Sequence, residues 1–230
     1  MKKLLSLIVL AGATAVTAWA ADVPQKVDSR LEDAKNVIDQ IMSNQSNSIP
    51  ENIAHKAECV AVVPGMKKAA FIVGGDYGQG VVTCRTANGW SAPVFIRVAG
   101  GSWGLQVGGQ STDLVLLAMN QKGFQDLLHS KFKIGAGISA AAGPVGRDAQ
   151  ASTDASLHSE MLSYSRSKGA FAGIDLNGTS VTQNTDDTNA LYGSSHTFDQ
   201  ILHGSVPAPA AAQPLLETIG KYFGAGAEHP

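Results

Sequence analysis

The stretch Ser91 to Gly109, SAPVFIRVAGGSWGLQVGG, constrains the fold more than any other part of the chain. Val94, Ile96 and Val98 alternate with Phe95 and Arg97, which is the two-residue side-chain period of a β-strand. Gly100-Gly101 supplies the positive φ angles of a two-residue hairpin loop. With that loop, Val98 faces Trp103, Ile96 faces Leu105 and Val94 faces Val107, three apolar pairs on one face, while Phe95, Arg97, Gly104 and Gln106 take the other. The same residues spell Gly100-Gly101-Ser102-Trp103-Gly104, a G-x-S-x-G match to the nucleophile elbow of hydrolases. A scaffold and a catalytic turn compete for one segment.

A chain of 230 residues, 44% of them apolar, can bury one core, and its 25 glycines with 6% aromatics favour short strands and turns over a helical bundle. Residues 1–20 stand apart. Lys2 and Lys3 precede an apolar run from Leu4 to Val16, and Ala18-Trp19-Ala20 is a small-x-small cleavage site, so a signal peptide cleaved near Ala20 is expected. The apolar run is shorter than the roughly 20 residues of a membrane span. The expected address is periplasmic or secreted. Without Lys2 and Lys3, 15 of the 17 basic residues remain against 19 acidic ones, a formal charge of −4. That balance disfavours nucleic acid as a partner.

Val27, Leu31, Ala34, Ile38 and Ile41 recur at helical spacing behind Ser29-x-x-Glu32, a capping-box pattern, which predicts a helix over 28–42. Its charged residues are mixed in sign, so it lacks the basic face of a helix for anionic membranes. Pro50 opens a short helix. Cys59 to Val63, Ala69 to Gly74 and Val81 to Arg85 read as strands, with Pro64-Gly65 a turn, Gly75 to Gly80 a hairpin connection and Asn88-Gly89 a further turn. Asp113 to Met119 is nearly all apolar and suits a strand buried on both faces. A helix is expected over 121–129 and an alternating strand over 133–142. Glu160 to Ser165 is a strand, 170–176 and 180–183 a hairpin about Asn177-Gly178, and Asp186 to Tyr192 a helix stopped by Gly193. Residues 206–214, VPAPAAAQP, read as a semi-extended linker before a short C-terminal helix. Lys68-Ala69-Ala70-Phe71 is echoed by Lys168-Gly169-Ala170-Phe171.

Cys59 and Cys84 lie in an oxidising compartment, where a bridge is allowed. In a three-stranded meander they sit on the outer strands, two spacings of roughly 4.8 Å apart, beyond the usual Cα limit of about 7 Å. Bridged and free forms both stay open.

The sharpest enzyme reading makes Ser102 a nucleophile, served by Asp113 and one of His129, His158 or His196. An elbow needs a helix after the serine, whereas Gly104 to Gly109 alternates and carries three glycines. Gly135-Ala136-Gly137-Ile138-Ser139-Ala140 matches the dinucleotide fingerprint G-x-G-x-x-[GA], but no βαβ alternation surrounds it and Gly143-Pro144 cuts the required helix short. The six histidines lack close metal-ligand spacing, and two cysteines alone make no structural zinc site. No cofactor and no metal are expected.

Gly143-Pro144-Val145-Gly146-Arg147, Tyr164 to Gly173 and Asn189-Ala190-Leu191-Tyr192-Gly193 closely resemble signature segments of the SYLF domain family. Cys59 to Gly65, Trp90 to Pro93 and Gly101 to Gly108 resemble the same family in the same order. The resemblance covers about Ile49 to Gly193 and implies a non-enzymatic binding module. Eukaryotic SYLF proteins bind phosphoinositide membranes and some bind actin, a partner that does not suit an exported chain. An N-terminal amphipathic helix contributes to membrane contact in those lipid binders, and the acidic residues of 28–42 depart from that pattern.

The expected fold is α+β and β-dominated, a mainly antiparallel sheet able to curve into a barrel, with peripheral helices. The expected parts are the signal peptide (1–20), a helix and loop (21–48), a SYLF-like domain (49–205) and a tail (206–230). The expected function is binding of anionic phospholipid or phosphoinositide-like head groups at the cell envelope, with an envelope protein as the alternative partner and Ser102 hydrolysis behind both. Candidate head-group ligands are Arg147, Arg166 and Lys168 in glycine- or serine-rich turns, with Lys67 and Lys68 at the echoing strand. Arginine suits bidentate phosphate contacts and lysine acts as a point charge.

Overall fold

Five consecutive apolar residues, Leu114 to Ala118, are each at most 1% exposed, and they divide by parity. Leu114, Leu116 and Ala118 join one hydrophobic cluster, Val115 and Leu117 the other. Such a strand must lie inside a sheet covered on both faces, because its side chains alternate. The computed structural model, which describes residues 22–43, 48–70, 73–103, 108–135, 139–146, 159–167, 170–174 and 176–224, shows this arrangement.

The elements in chain order are α1 (Asp22–Met42), α2 (Glu51–Ala54), β1 (Cys59–Ala70), β2 (Val73–Thr86), β3 (Gly89–Trp90), β4 (Val94–Trp103), β5 (Gly108–Ala118), α3 (Gln121–Leu128), β6 (Lys131–Lys133), β7 (Ala140–Ala142), β8 (Met161–Ser167), β9 (Ala170–Gly173), β10 (Ser180–Gln183), α4 (Thr185–Tyr192), α5 (Phe198–Leu202) and α6 (Gln213–Phe223). The strands form one curled, half-barrel sheet in the order β6-β10-β4-β2-β1-β5-β8-β7, with β3 beside β2 and β9 beside β8. Every described pairing is antiparallel except β7 with β8. Peripheral helices cover both faces, so the α+β expectation holds.

One face is covered by α3 and α5, whose Phe124, Leu127, Phe198, Ile201 and Leu202 pack with Val94, Ile96 and Val98. The other is covered by α1 and α6, packed on Val60, Val62, Val81 and Phe95. Helix α1 buries Val27, Leu31, Val37, Ile38 and Ile41. At about 2 kcal/mol per aliphatic side chain, this is worth on the order of 10 kcal/mol as an upper bound. That sum makes α1 part of the core rather than a loose appendage. It starts six residues before the expected boundary, and the Ser29 hydroxyl donates within the helix to the Lys26 carbonyl (3.1 Å) instead of capping it.

Several local expectations give way to long-range pairing. Gly100 and Gly101 form no hairpin: β4 runs through them, and Gly100, Gly101 and Ser102 pair with Asp76, Gly75 and Gly74 of β2. A ladder of ten residue pairs outweighs what a tight turn would save. Gly100 is instead a point of close approach, since a Cβ there would lie 3.0 Å from the Thr179 hydroxyl. Pro64-Gly65 is a β-bulge within β1, with Gly65 at φ +56°, and Gly75 to Gly80 belongs to β2. The supposed meander is therefore a single pair of long strands. Cys59 stands directly opposite Cys84 with Cα atoms 4.0 Å apart, and the two are bridged.

The expected 133–142 strand is divided into β6 and β7 at opposite ends of the sheet, where Gly135 takes φ +83°. Strands β9 and β10 make no hairpin, since β9 pairs with β8 and β10 with β4 and β6. Residues 206–214 are no free linker: Ala212 is fully buried, and Leu215, Ile219 and Phe223 dock α6 onto the core. Arg85 and Trp90 fasten its end. The Arg85 guanidinium donates to the Phe223 carbonyl (2.8 Å) and lies over the Trp90 ring, whose indole N–H donates to the Gly224 carbonyl (2.9 Å). Residues 1–20, expected to be a signal peptide, lie outside the described residues.

Candidate functional site

Two clefts flank α1, and charge separates them. The larger, about 410 Å³, lies between α1 and α6 and carries Asp28 and Glu32 against Lys35. The other, about 300 Å³, lies between α1 and the β1–β2 ribbon, where Lys26, Arg30 and Lys67 face one carboxylate, Asp33. The second suits an anion.

Its geometry follows from the strand period and the bulge. Tyr77 and Gln79 share a sheet face with Val81, and Lys67 stands directly opposite Tyr77 across the β1–β2 ladder. Lys67 is exposed, and its ammonium has no side-chain partner among the described residues. Tyr77 is 49% exposed, a large ring left outside both hydrophobic clusters.

Arg30 sits deeper and is already committed. It donates to Asp187 Oδ2 (2.6 Å) and to Gln79 Oε1 (2.5 Å), and its guanidinium lies 5.3 Å from the Phe95 ring centroid. A guanidinium only donates, so it fixes the Gln79 amide with the oxygen toward Arg30 and the NH₂ toward Tyr77. Gln79 Nε2 then donates to Tyr77 Oη at 3.0 Å. The Tyr77 oxygen is thus an acceptor in this chain, and its own hydrogen is left to donate to a ligand oxygen. Lys67 supplies a charge and Tyr77 a directed O–H on one open surface.

Of the sequence candidates, Lys67 lines this cleft. Arg166 does not. It lies on β8, with β5 between it and β1, and its Nη2 and Nε donate to Asp113 Oδ2 at 2.7 and 3.2 Å. Lys68 pairs by backbone register with Asp76 and Gln110, and its side chain lies outside the described residues. Arg147 and Lys168 also lie outside them. Sequence reasoning missed Lys26, Arg30 and Gln79 as site residues and took Tyr77 for part of a connection. The i,i+4 spacing of Lys26 and Arg30, on a helix that its apolar periodicity already predicts, is the local signal that both cations share one side of α1.

Among the described residues, the serine-hydrolase geometry is not built. Ser102 stands in extended strand β4, paired with Gly74, whereas a nucleophile elbow sits at a sharp strand-to-helix turn. Residues 104–107 lie outside the described residues and β5 begins at Gly108. Asp113 is occupied by Arg166 and by the Gly65 N–H (2.9 Å), while the His196 ring bonds the Ser194 hydroxyl (2.9 Å). The fingerprint segment leads into strand β7 instead of a helix. Among the described residues, no three His, Cys, Asp or Glu side chains gather as a metal site.

Residues 99–222 match the family model Ysc84, described as Las17-binding protein actin regulator. Protein YSC84 of Saccharomyces cerevisiae is 32% identical over 206 residues, covering 86% of this chain and 44% of the relative. LAS seventeen-binding protein 3 of the same species is 31% identical, with coverage of 86% and 45%. Human SH3 domain-containing YSC84-like protein 1 is 26% identical, with coverage of 87% and 60%. The chain spans about half the length of these curated relatives, one of which is named for binding and one for an SH3 domain. The family-model match over 99–222, the identity to protein YSC84 and the strand-rich fold agree: the chain belongs to the Ysc84 (SYLF) family.

Proposed function

We propose that this chain is a non-enzymatic binding module for the anionic head group of a phospholipid, phosphoinositide-like heads included, acting at the cell envelope after export. The observation that carries the reading is the cleft beside α1, where Lys67 and Tyr77 stand together on an open sheet face with Lys26 opposite. A phosphate there meets an ammonium and an O–H donor while its lipid stays in the bilayer. Helix α1 forms the wall of the site and keeps its apolar face on the core, because leaving would forfeit the burial described above.

The test is flotation of the full chain with phosphatidylcholine vesicles, with and without phosphatidylglycerol. Binding is expected only to the anionic vesicles and weakens with salt. A lysine at an anionic surface contributes about 1 kcal/mol, so K67A is expected to weaken binding about fivefold. Equal recovery with both vesicle types, or a K67A variant that floats like the wild type, removes the reading. A protein ligand is the second reading, favoured by the binding names of the relatives, and it takes over if neither vesicle type is bound.

A further inference from the structure

We infer that Asp113 and Arg166 are positioning residues for the cleft: by holding the β1 bulge they decide that Lys67, and not Met66, faces α1. The inference rests on the anion-binding reading for its functional consequence. Its structural half can be tested without any ligand.

The side-chain pattern of β1 changes phase in mid-strand. Val60 and Val62 pack in the α1 core, and Cys59, Ala61 and Val63 in the opposite one. Strict alternation would send Met66 to the α1 side and turn Lys67 inward. Instead Met66 joins the opposite core at 1% exposure, and Lys67 comes out beside Tyr77. The slip is one residue. From Val62 to Lys67 is five steps on β1, and from Val81 to Tyr77 only four on β2; from Val63 to Met66 is three against two on β5. An extra residue shared by both ladders is a β-bulge, and a bulge re-aims every side chain beyond it.

A bulge leaves a backbone N–H outside the ladder, and that group needs an acceptor. Gly65 N donates to Asp113 Oδ1 at 2.9 Å. The other carboxylate oxygen takes both Arg166 bonds, and the two side chains are only 18% and 25% exposed. Arg166 therefore holds Asp113, Asp113 holds Gly65, and Gly65 sets the phase that presents Lys67. The arginine that local sequence marks as a head-group ligand acts through this chain of contacts.

A double-mutant cycle on phosphatidylglycerol vesicles separates the possibilities. D113A is expected to weaken vesicle binding about as much as K67A, about fivefold, and the double variant no further than either alone. R166Q is expected to weaken it less, and to have no effect in the K67A background. Additive losses in D113A/K67A, or an R166Q loss that persists without Lys67, overturn the inference in favour of independent contacts. Unchanged affinity in a folded D113A overturns it outright. The ligand-free readout is the nuclear Overhauser contact between the Lys67 ε-methylene and the Tyr77 ring, expected in the wild type and lost in D113A. A contact that persists in D113A overturns the positioning claim even if no vesicle is bound, whereas absent vesicle binding with the expected loss sinks only the lipid reading. Should D113A fail to fold, D113L carries the test, since it keeps most of the side-chain volume and offers the Gly65 N–H no acceptor. A folded D113L protein with wild-type affinity and an undiminished contact overturns the claim.

Discussion

The Cys59–Cys84 bridge gives the stability prediction with the clearest arithmetic. It joins directly opposed residues of β1 and β2, both fully buried, and closes a loop with a sequence separation of 25. The chain-entropy relation for a loop of that length gives a loss of roughly 11.7 cal/mol/K from the unfolded state, about 3.5 kcal/mol at 25 °C. The C59A/C84A variant should lose about that much, and its denaturant slope should rise because the unlinked unfolded chain exposes more surface. In a chain of this size the midpoint should fall by about 10 °C. Urea denaturation followed by circular dichroism checks the loss and the slope, a thermal melt checks the midpoint, and reduced wild-type protein supplies a control without truncated side chains. A loss below about 1 kcal/mol with an unchanged slope would refute the reasoning, because the unfolded chain would then already hold this hairpin closed.

Three further outcomes are expected. Arg30 and Asp187 are only 14% and 19% exposed, so R30M should cost about 3 kcal/mol by leaving a carboxylate without its cation, and amide exchange should quicken across α1 and α4. A Cβ on Gly143 would fall 2.0 Å from the Tyr164 ring, so G143A should destabilise by about 2 kcal/mol in thermal melts; a neutral result would mean that the ring can move. Partial desolvation pushes the Glu160 carboxyl up, but hydrogen bonds from Lys122 and from the Ser139 N–H outweigh it and hold the group below the usual carboxylate range. A depressed acid stabilises the fold above its unfolded pKa of about 4.3 and loses that contribution as pH falls through the folded value. E160Q should therefore cost up to about 1 kcal/mol at neutral pH and nothing once the wild-type group is protonated, as denaturation at a series of pH values will show.

Elements specified by their own residues were legible in the sequence. The apolar run at Leu114 to Ala118 announced a strand covered on both faces, and Gly193 ended α4 in the left-handed conformation at φ +65°. The alternation from Val94 to Val98 assigned each side chain to the correct face. What depended on partners far along the chain was not legible. Pro64-Gly65 has the same local chemistry in a turn as in a bulge, and only pairing with both β2 and β5 selects the bulge. Gly100-Gly101 allows a turn or an extended strand, and β2 chooses the strand. The alanines of 206–214 give no hint that a core position awaits Ala212. The cleft was hidden for the same reason: Lys26, Lys67 and Tyr77 belong to three elements, and Lys67 shares a face with Tyr77 only because of the bulge. Arg166 was picked out by its local serine-rich setting, which cannot reveal that Asp113 lies on the neighbouring strand.

The central claim, an anion site on the sheet face beside α1, is tested most directly by nuclear magnetic resonance of the full chain titrated with a short-chain phosphatidylglycerol below its micelle concentration. The account predicts saturable shifts concentrated at Lys26, Lys67, Tyr77 and Gln79, diminished in Y77F, with the α1 core resonances unmoved. Shifts centred on another surface, or a release of α1 from the sheet on binding, would contradict it.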